Sequence, residues 1–199
     1  VIEARKERFP SPQYNPESGF WGDKREFVEY TSARVNTATK REFLYGRFEM
    51  RARIPVAKGA WPAFWTLGTG CEYGGLPWPQ SGEIDIMEYY PVNGEPQILG
   101  NVASGAPGTS NAYWKDKKVP FSHFLEKDPD WASKFHIWRM DWDRDSTSTT
   151  SSLMRLTSIR CRTPAAGPSI TLTAILTTSF STSPSAAQAV ARLTTGPSR

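Results

Sequence analysis

The chain has 199 residues, a length that suits one domain, and a formal net charge of +4. Residues 145–199 supply the excess charge with five Arg and one Asp, whereas residues 1–144 hold 19 basic and 19 acidic side chains. A domain with balanced charge lacks the basic surface that nucleic acid requires, so no nucleic-acid partner is expected. No apolar stretch approaches the length of a membrane span, so no membrane partner is expected either.

Short runs of aromatic and β-branched residues, separated by Gly, Pro and Asn, follow one another through residues 1–144. This pattern predicts strands, and their number favours an all-β sandwich or jelly roll. Within residues 43–54, the apolar Phe48 and Met50 alternate with charged residues, as expected of a sheet with one face in water. In chain order, the predicted strands are residues 1–4, 27–35, 43–54, 61–67, 83–90, 97–103 and 134–141, with a short helical turn at 128–133.

The fifth predicted strand carries three acids, Glu83, Asp85 and Glu88, among large apolar residues. Alternation along a regular strand would turn Glu88 away from the other two acids and into the apolar layer, where a charge is costly. One extra residue, a β-bulge near residues 86–87, returns Glu88 to the face of Glu83 and Asp85. A helix would hold Glu83 and Glu88 about 140° apart and could not bring them to one site.

Two glutamates that flank an aspartate on one face suit a retaining glycosidase. One carboxylate attacks the anomeric carbon, and the other protonates the leaving oxygen and later activates water, with the two groups about 5–5.5 Å apart. Asp85 is expected to hydrogen-bond a neighbour and to keep the two pKa values apart. Three acids on a strand also fit a solvated acidic face or a cation site with oxygen ligands. The apolar alternation and the nearby Trp and Tyr residues favour the catalytic interpretation.

The motif of residues 83–88 resembles the E-x-D-x-x-E signature of glycoside hydrolase family 16, in the bulged form of its laminarinase-like branch. Residues 45–53 and 59–68 resemble the strands that precede this motif in the family, and residues 135–142 resemble the strand that follows the active site. The resemblance covers about residues 1–143. It implies a concanavalin-like β-jelly roll, incomplete at both ends in this chain, whose concave sheet binds a β-glucan.

The resemblance also implies a role for each acid: Glu83 as the nucleophile, Asp85 as the assisting acid and Glu88 as the general acid/base. The implied activity is the retaining, endo-acting hydrolysis of β-1,3 or mixed β-1,3/1,4-glucan by double displacement. Two alternatives stay open, namely a non-catalytic, lectin-like carbohydrate-binding sandwich and a family 16 enzyme that acts on a marine galactan such as agar or carrageenan.

The expected partner is a β-glucan polysaccharide, and a monomer is expected. This chemistry requires no cofactor, and a structural calcium ion is possible but is not indicated by any motif. An extracellular or periplasmic location is inferred, because a polymer cannot enter a cell intact.

Four residues are predicted to bind substrate. Trp61 and Trp65 share one face of a predicted strand and can stack sugar rings, with core packing as the alternative. Arg34 and Asn101 carry donors that suit sugar hydroxyls, and for each a structural hydrogen bond is an equal alternative.

Other residues close to these strands are predicted to be structural. His136 is expected to be a histidine with satisfied hydrogen bonds, and Trp138 and Trp142 are expected to lie in the core. The three lysines of residues 115–118 are expected to lie in a solvated loop.

The composition changes near residue 144. All eight Trp and all seven Tyr lie at or before Trp142, and 23 of the 55 residues from 145 to 199 are Ser or Thr. The chain is therefore divided into a partial catalytic jelly roll, residues 1–144, and a tail, residues 145–199, that is predicted to be disordered.

Two origins for this tail stay open. It is a Ser/Thr/Pro linker, or it arises from a one-base frameshift close to residues 143–145, because a shifted reading of its Ser-rich codons permits family-like sequences. The second interpretation predicts a sandwich that lacks its last strands and is marginal or inactive as written. The DNA sequence across codons 140–199 tests it.

Overall fold

The computed structural model describes residues 1–71, 75–106, 108–143, 147–151, 154–159, 170–178 and 187–196. Within these ranges the chain forms thirteen strands in two antiparallel sheets, which enclose the main hydrophobic core between them. None of the helices in the described ranges has the length and apolar character needed to cross a membrane.

The strands are β1 (Ile2–Pro10), β2 (Phe27–Thr31), β3 (Ala33–Asn36), β4 (Gly46–Arg53), β5 (Ala60–Gly68), β6 (Glu83–Val92), β7 (Glu95–Gly105), β8 (Ala112–Pro120), β9 (His136–Trp142), β10 (Thr147–Ser151), β11 (Met154–Ile159), β12 (Ile170–Thr178) and β13 (Ala187–Gly196). The helix α1 (Phe121–Lys127) follows β8. One sheet has the strand order β11-β10-β9-β4-β13-β1-β2, and the other has the order β3-β12-β5-β6-β7-β8. The predicted all-β sandwich is therefore confirmed, and the acidic strand is β6, between β5 and β7.

Alternate residues of strands in both sheets build the hydrophobic core. On β4, Phe48 and Met50 are buried, whereas Arg51, which follows Met50, is exposed. This pattern confirms the predicted alternation. The six-stranded sheet contributes Ile86 and Met87 from β6 to the same core. Each fully buried side chain of this size stabilises the fold by about 1.5–3 kcal/mol relative to its exposed state.

Several elements differ from the sequence prediction, and β1, predicted as residues 1–4, extends to Pro10. The predicted strand 27–35 is interrupted at Ser32, because the chain passes there from the seven-stranded sheet (β2) to the six-stranded sheet (β3). The helix α1 is only two turns long and buries Phe121 and Phe124, too few positions to reveal a helical period. The lysines of residues 115–118 lie on the edge strand β8 and not in a loop.

Four strands are described in the tail: β12 lies between β3 and β5, β13 lies between β4 and β1, and β10 and β11 extend the sheet beyond β9. The disorder that composition predicts for residues 145–199 stays a prediction. Strand pairing uses backbone groups, which Ser and Thr provide as well as other residues, and Thr and Ile favour strands. The frameshift hypothesis concerns the DNA and stays a prediction.

Candidate active site

The strand β6 contains the β-bulge that the spacing of its acids predicts. Between Asp85 and Glu88, the pairing of β6 with each of its neighbours shifts by one residue. Ile86 and Met87 are consecutive, yet both are buried in the core. The extra residue returns Glu88 to the face that carries Glu83 and Asp85, so the predicted bulge is confirmed.

The three acids share an open cavity of about 470 Å³ on the outer face of the six-stranded sheet, here named the cleft face. This volume lies within the range typical of small-molecule sites. The lining residues come from β5 to β8 and from the turn before β6: Trp61, Trp78, Glu83, Asp85, Glu88, Tyr90, Asn101, Trp114, Asp116 and Lys118.

The turn before β6 orients Glu83. Trp78 donates a hydrogen bond from Nε1 to Glu83 Oε2 at 2.7 Å. Gly82 has a φ of +80°, a backbone conformation that favours glycine, and its carbonyl oxygen accepts a hydrogen bond from the N–H of Gly68 at 2.9 Å. A side chain at Gly68 would overlap the carbonyl oxygen of Ser81. The close approach of these two segments therefore fixes the position where β6 begins.

Glu88 accepts hydrogen bonds at both of its carboxyl oxygens. Trp61 donates from Nε1 to Oε1 at 3.0 Å, and Asn101 donates from Nδ2 to Oε2 at 2.6 Å. Burial raises the pKa of Glu88 above its ordinary value, and the charge of Glu83 acts in the same direction, while both hydrogen bonds oppose the shift. The pKa of Glu88 is therefore shifted upward, the direction that suits a general acid.

Asp85 lies between the two glutamates and is 2% exposed. Burial, followed by the charges of Glu88 and Glu83, raises the pKa of Asp85 to about 9. Asp85 also forms a hydrogen bond with Glu83 that raises its pKa further, as expected when a protonated carboxyl donates to a neighbouring carboxylate. Asp85 is thus a neutral hydrogen-bond donor at neutral pH and supports a negative charge on Glu83.

The four predicted substrate-binding residues occupy different parts of the cleft face. Trp61 is 39% exposed and lines the cavity. Trp65 lies opposite Asp85 and so shares its face, but it is outside the set of cavity-lining residues. Arg34 lies on β3, which β12 separates from β5, so it is remote from the acids. Asn101 lines the cavity but is 5% exposed and contacts the acids.

Sequence reasoning missed three residues of β8 that line the cavity: Trp114, Asp116 and Lys118, here named the β8 cleft residues. They alternate along the strand, and Lys118 forms an ion pair with Asp116. Trp114 is 51% exposed and lies near Trp78, with 6.4 Å between the ring centroids. The alternation of residue types in 114–118 could have indicated a strand, but the many charged residues there led to the prediction of a loop.

Sequence reasoning also missed two aromatic residues of the cavity. Trp78 precedes the strand and reaches Glu83 through the turn. Tyr90 packs beside Trp61, with 5.0 Å between the ring centroids. Burial, followed by the charges of Glu88 and other acids, raises the pKa of Tyr90 to about 12, so its hydroxyl keeps its proton.

The histidine and the two tryptophans predicted to be structural lie in the core. His136 Nε2 lies 2.7 Å from the carbonyl oxygen of Trp131, and its ring stacks on the Trp131 indole with 3.8 Å between the centroids. Burial lowers the pKa of His136. Trp138 and Trp142 are buried, so the predictions for all three residues are confirmed.

The arrangement gives the two glutamates different hydrogen-bond partners. Glu83 accepts from Trp78 and from Asp85, both of which stabilise a carboxylate, whereas burial favours a proton on Glu88. Two carboxyl groups on the same face of one strand, of which Glu88 has a raised pKa, can attack a glycosidic carbon and protonate its leaving oxygen. In the ranges described, no group of three His, Cys, Asp or Glu side chains is arranged to hold a metal ion.

Comparisons with known proteins agree with this geometry. A "Glucan endo-1,3-beta-glucosidase" of Cryptopygus antarcticus is 42% identical over 132 residues, which cover 64% of this chain and 43% of that protein. A "Beta-1,3-glucan-binding protein" of Penaeus monodon is 37% identical over 118 residues, which cover 58% of this chain and 31% of that protein. The chain thus spans less than half the length of these curated relatives.

A solved structure gives the same fold. The catalytic domain of an endo-1,3-beta-glucanase (laminarinase) from Thermotoga petrophila superposes with a TM-score of 0.72 at 24% identity, over 96% of this chain and 74% of that chain. The family described as Glycosyl hydrolases family 16 matches residues 20–150, about two thirds of the sequence. The chain therefore belongs to glycosyl hydrolases family 16.

Proposed function

We propose that this chain carries the catalytic centre of a retaining endo-glycosidase that hydrolyses β-1,3 or mixed β-1,3/1,4-glucan. The observation that carries the proposal is the β-bulge, which brings Glu83 and Glu88 to one face with Asp85 between them. The similarity to endo-1,3-β-glucosidases supports the substrate class.

The first step forms a covalent bond to Glu83. Its carboxylate oxygen attacks the anomeric carbon, the bond from that carbon to the glycosidic oxygen breaks, and the proton of Glu88 moves to the leaving oxygen. Charge leaves Glu83 as the ester forms, while Glu88 becomes a carboxylate. Asp85 keeps its proton and donates to Glu83 before the attack.

The second step releases the sugar. Glu88, now a carboxylate, accepts a proton from a water molecule whose oxygen attacks the same anomeric carbon. The ester bond breaks, Glu83 leaves as a carboxylate, and Glu88 is again protonated. Because each step inverts the anomeric carbon, the product keeps the anomeric configuration of the substrate.

Neutral glycans suit the charge of this cavity better than sulfated galactans do. Four acids, Glu83, Asp85, Glu88 and Asp116, line it together with one cation, Lys118, which is already paired with Asp116. A sulfate group would meet the negative charge of Glu83, and like charges at short range are unfavourable. This argument favours a β-glucan over a carrageenan-like polymer.

Binding without cleavage is the second candidate. The similarity to a protein named for β-1,3-glucan binding favours it, as do the exposed rings of Trp61 and Trp114 in the cleft. A binding site has no need for a buried acid triad, whose unfavourable charge interactions cost stability. The triad therefore favours the enzyme.

The proposed reaction uses carboxyl groups and water, so no cofactor is proposed. A polymer substrate leads us to propose an extracellular or periplasmic location, with the chain acting as a monomer. Unchanged activity after dialysis against a chelator would support the proposal that the reaction needs no metal cofactor.

Reducing-sugar release from laminarin tests the proposed function. The purified chain is expected to release reducing ends, and Glu83→Gln is expected to lower the rate by on the order of 10³-fold or more. Retention of glucan binding without release by the parent chain would instead support the binding protein. A parallel screen on agarose and carrageenan tests the galactan alternative.

A further inference from the structure

Asn101 lies beside the acids on the cleft face and is almost fully covered by its neighbours. On β7 it is directly opposite Asp85, and it is 5% exposed. Its Nδ2 donates to Glu88 Oε2 at 2.6 Å, and it also hydrogen-bonds Asp85. The amide therefore connects two of the three acids.

The orientation of the Asn101 amide is determined by the acids. Its oxygen Oδ1 is buried and has no hydrogen-bond partner among the described residues, which is an unfavourable arrangement. The reverse orientation would direct that oxygen at Glu88 Oε2 and would lose the hydrogen bond from Nδ2. In the observed orientation Oδ1 lacks a hydrogen-bond partner in the described part of the chain, while the N–H groups of the amide face the acids.

We infer that Asn101 is a positioning residue, which holds the inner oxygen of Glu88 in place and acts through Glu88 without binding the sugar. The two oxygens of Glu88 differ in depth, because Trp61, which holds Oε1, is exposed while Asn101 is buried. The outer oxygen is then the one that carries the transferable proton. This inference rests on the proposed function.

Several titratable groups line the cavity with Glu88 besides this amide. Glu83 and Asp85 lie on the same strand, Tyr90 lies further along it, and Asp116 and Lys118 line the cavity from β8. From β5 the neutral Trp61 donates a hydrogen bond. Since burial and Glu83 raise the pKa of Glu88 and the Asn101 hydrogen bond lowers it, removal of the amide shifts that pKa further upward.

A direct titration of Glu88 tests the inference without any need for activity. The variants are Asn101→Ala, which removes both donors, and Asn101→Ser, which keeps one hydroxyl donor in a smaller side chain. The probe is the ¹³C signal of the Glu88 carboxyl carbon, assigned by its loss in Glu88→Gln. We expect the midpoint to rise in Asn101→Ala and to rise less in Asn101→Ser. An unchanged or lowered midpoint in Asn101→Ala would overturn the inference.

Kinetics on laminarin separate positioning from sugar binding. We expect Asn101→Ala to lower kcat by about 10- to 100-fold with little change in KM, and to move the alkaline limb of kcat/KM to higher pH. Gln97→Ala, on the same strand but outside the set of cavity-lining residues, is the matched control and is expected to change neither constant. A raised KM with unchanged kcat would show a sugar contact and would overturn the inference.

Failure of the proposed function and failure of the inference about Asn101 give different experimental results. If the parent chain releases no sugar from any glucan, the proposed function fails, while the titration of Glu88 still decides the role of Asn101. If the parent chain is active and Asn101→Ala keeps its kcat and its Glu88 midpoint, only the role of Asn101 fails.

Discussion

Glu88 faces the same side of β6 as Asp85, although three positions separate the two residues and regular alternation would place them on opposite sides. Asp85 lies opposite Asn101 and Glu88 lies opposite Leu99, so four residues of β6 span three of β7. The bulge therefore converts an acidic strand into a pair of glutamates around a central aspartate.

Deletion of Met87 is expected to keep the glutamate in the cleft, because the shortened strand then alternates regularly from Glu83 to Glu88. The variant loses one buried side chain, a cost of about 2–5 kcal/mol, so its Tm falls. Hydrolysis persists at a reduced rate. Thermal unfolding and reducing-sugar release measure the two effects.

The double deletion of Ile86 and Met87 is the matched control. It places the glutamate directly after Asp85 and turns it toward the core. We expect no hydrolysis from this variant. Equal activity in both deletion variants would contradict the role given to the bulge.

Asp85→Asn is expected to stabilise the fold increasingly as pH rises. The pKa of Asp85 is raised from an ordinary 3.8 to about 9, so the folded state binds this proton more tightly than the unfolded state does. Between these two values the parent loses stability with rising pH, by at most about 1.4 kcal/mol per pH unit, and the amide variant lacks that loss.

Urea unfolding at several pH values measures this difference. The gap between Asp85→Asn and the parent is expected to widen from about pH 4 to about pH 9 and then to stay constant. A gap that does not depend on pH would show that Asp85 is ionised in the folded state at neutral pH.

The catalytic strand could be predicted from sequence, whereas much of the surrounding cleft could not. Glu83, Asp85 and Glu88 lie within six residues, so a rule on alternation was enough to require the bulge. Trp78 reaches Glu83 only because the chain turns at Gly82, and no periodicity shows such a turn.

The β8 cleft residues illustrate a second limit. Composition alone cannot distinguish a charged edge strand from a charged loop, because both expose most of their side chains to water. The depth of Asn101 was hidden for a similar reason, since an amide on a strand suits a sugar and a neighbouring acid equally well. The hydrogen bond to Glu88 and the burial of the amide distinguish the two roles.

Trp114→Ala is expected to weaken binding of glucan oligosaccharides. The exposed ring lies on the cleft face near Trp78, where it can stack on a sugar, and loss of one aromatic contact is expected to raise KM by about 2- to 10-fold. Tyr113→Ala is the matched control, because Tyr113 is exposed but adjacent on β8 and so faces the other way. Equal effects of both substitutions would contradict a sugar contact at Trp114.

Truncation after residue 143 is expected to abolish cooperative unfolding. It removes β12, which joins β3 to β5, and β13, which joins β1 to β4, so both sheets lose interior pairings. Removal of residues 197–199 keeps every described strand and is the control. A truncated chain with the Tm of the parent would show that the tail strands add nothing to the fold.

Covalent trapping tests the central claim, that Glu83 is the nucleophile of a retaining glycosidase, most directly. A 2-fluoro laminari-oligosaccharide with a good leaving group slows the second step more than the first, so the glycosyl-enzyme ester accumulates. Mass spectrometry of the intact chain and its peptides is expected to show one glycosyl group, attached to Glu83. Hydrolysis of laminarin without any adduct, or with an adduct on another residue, would contradict the account.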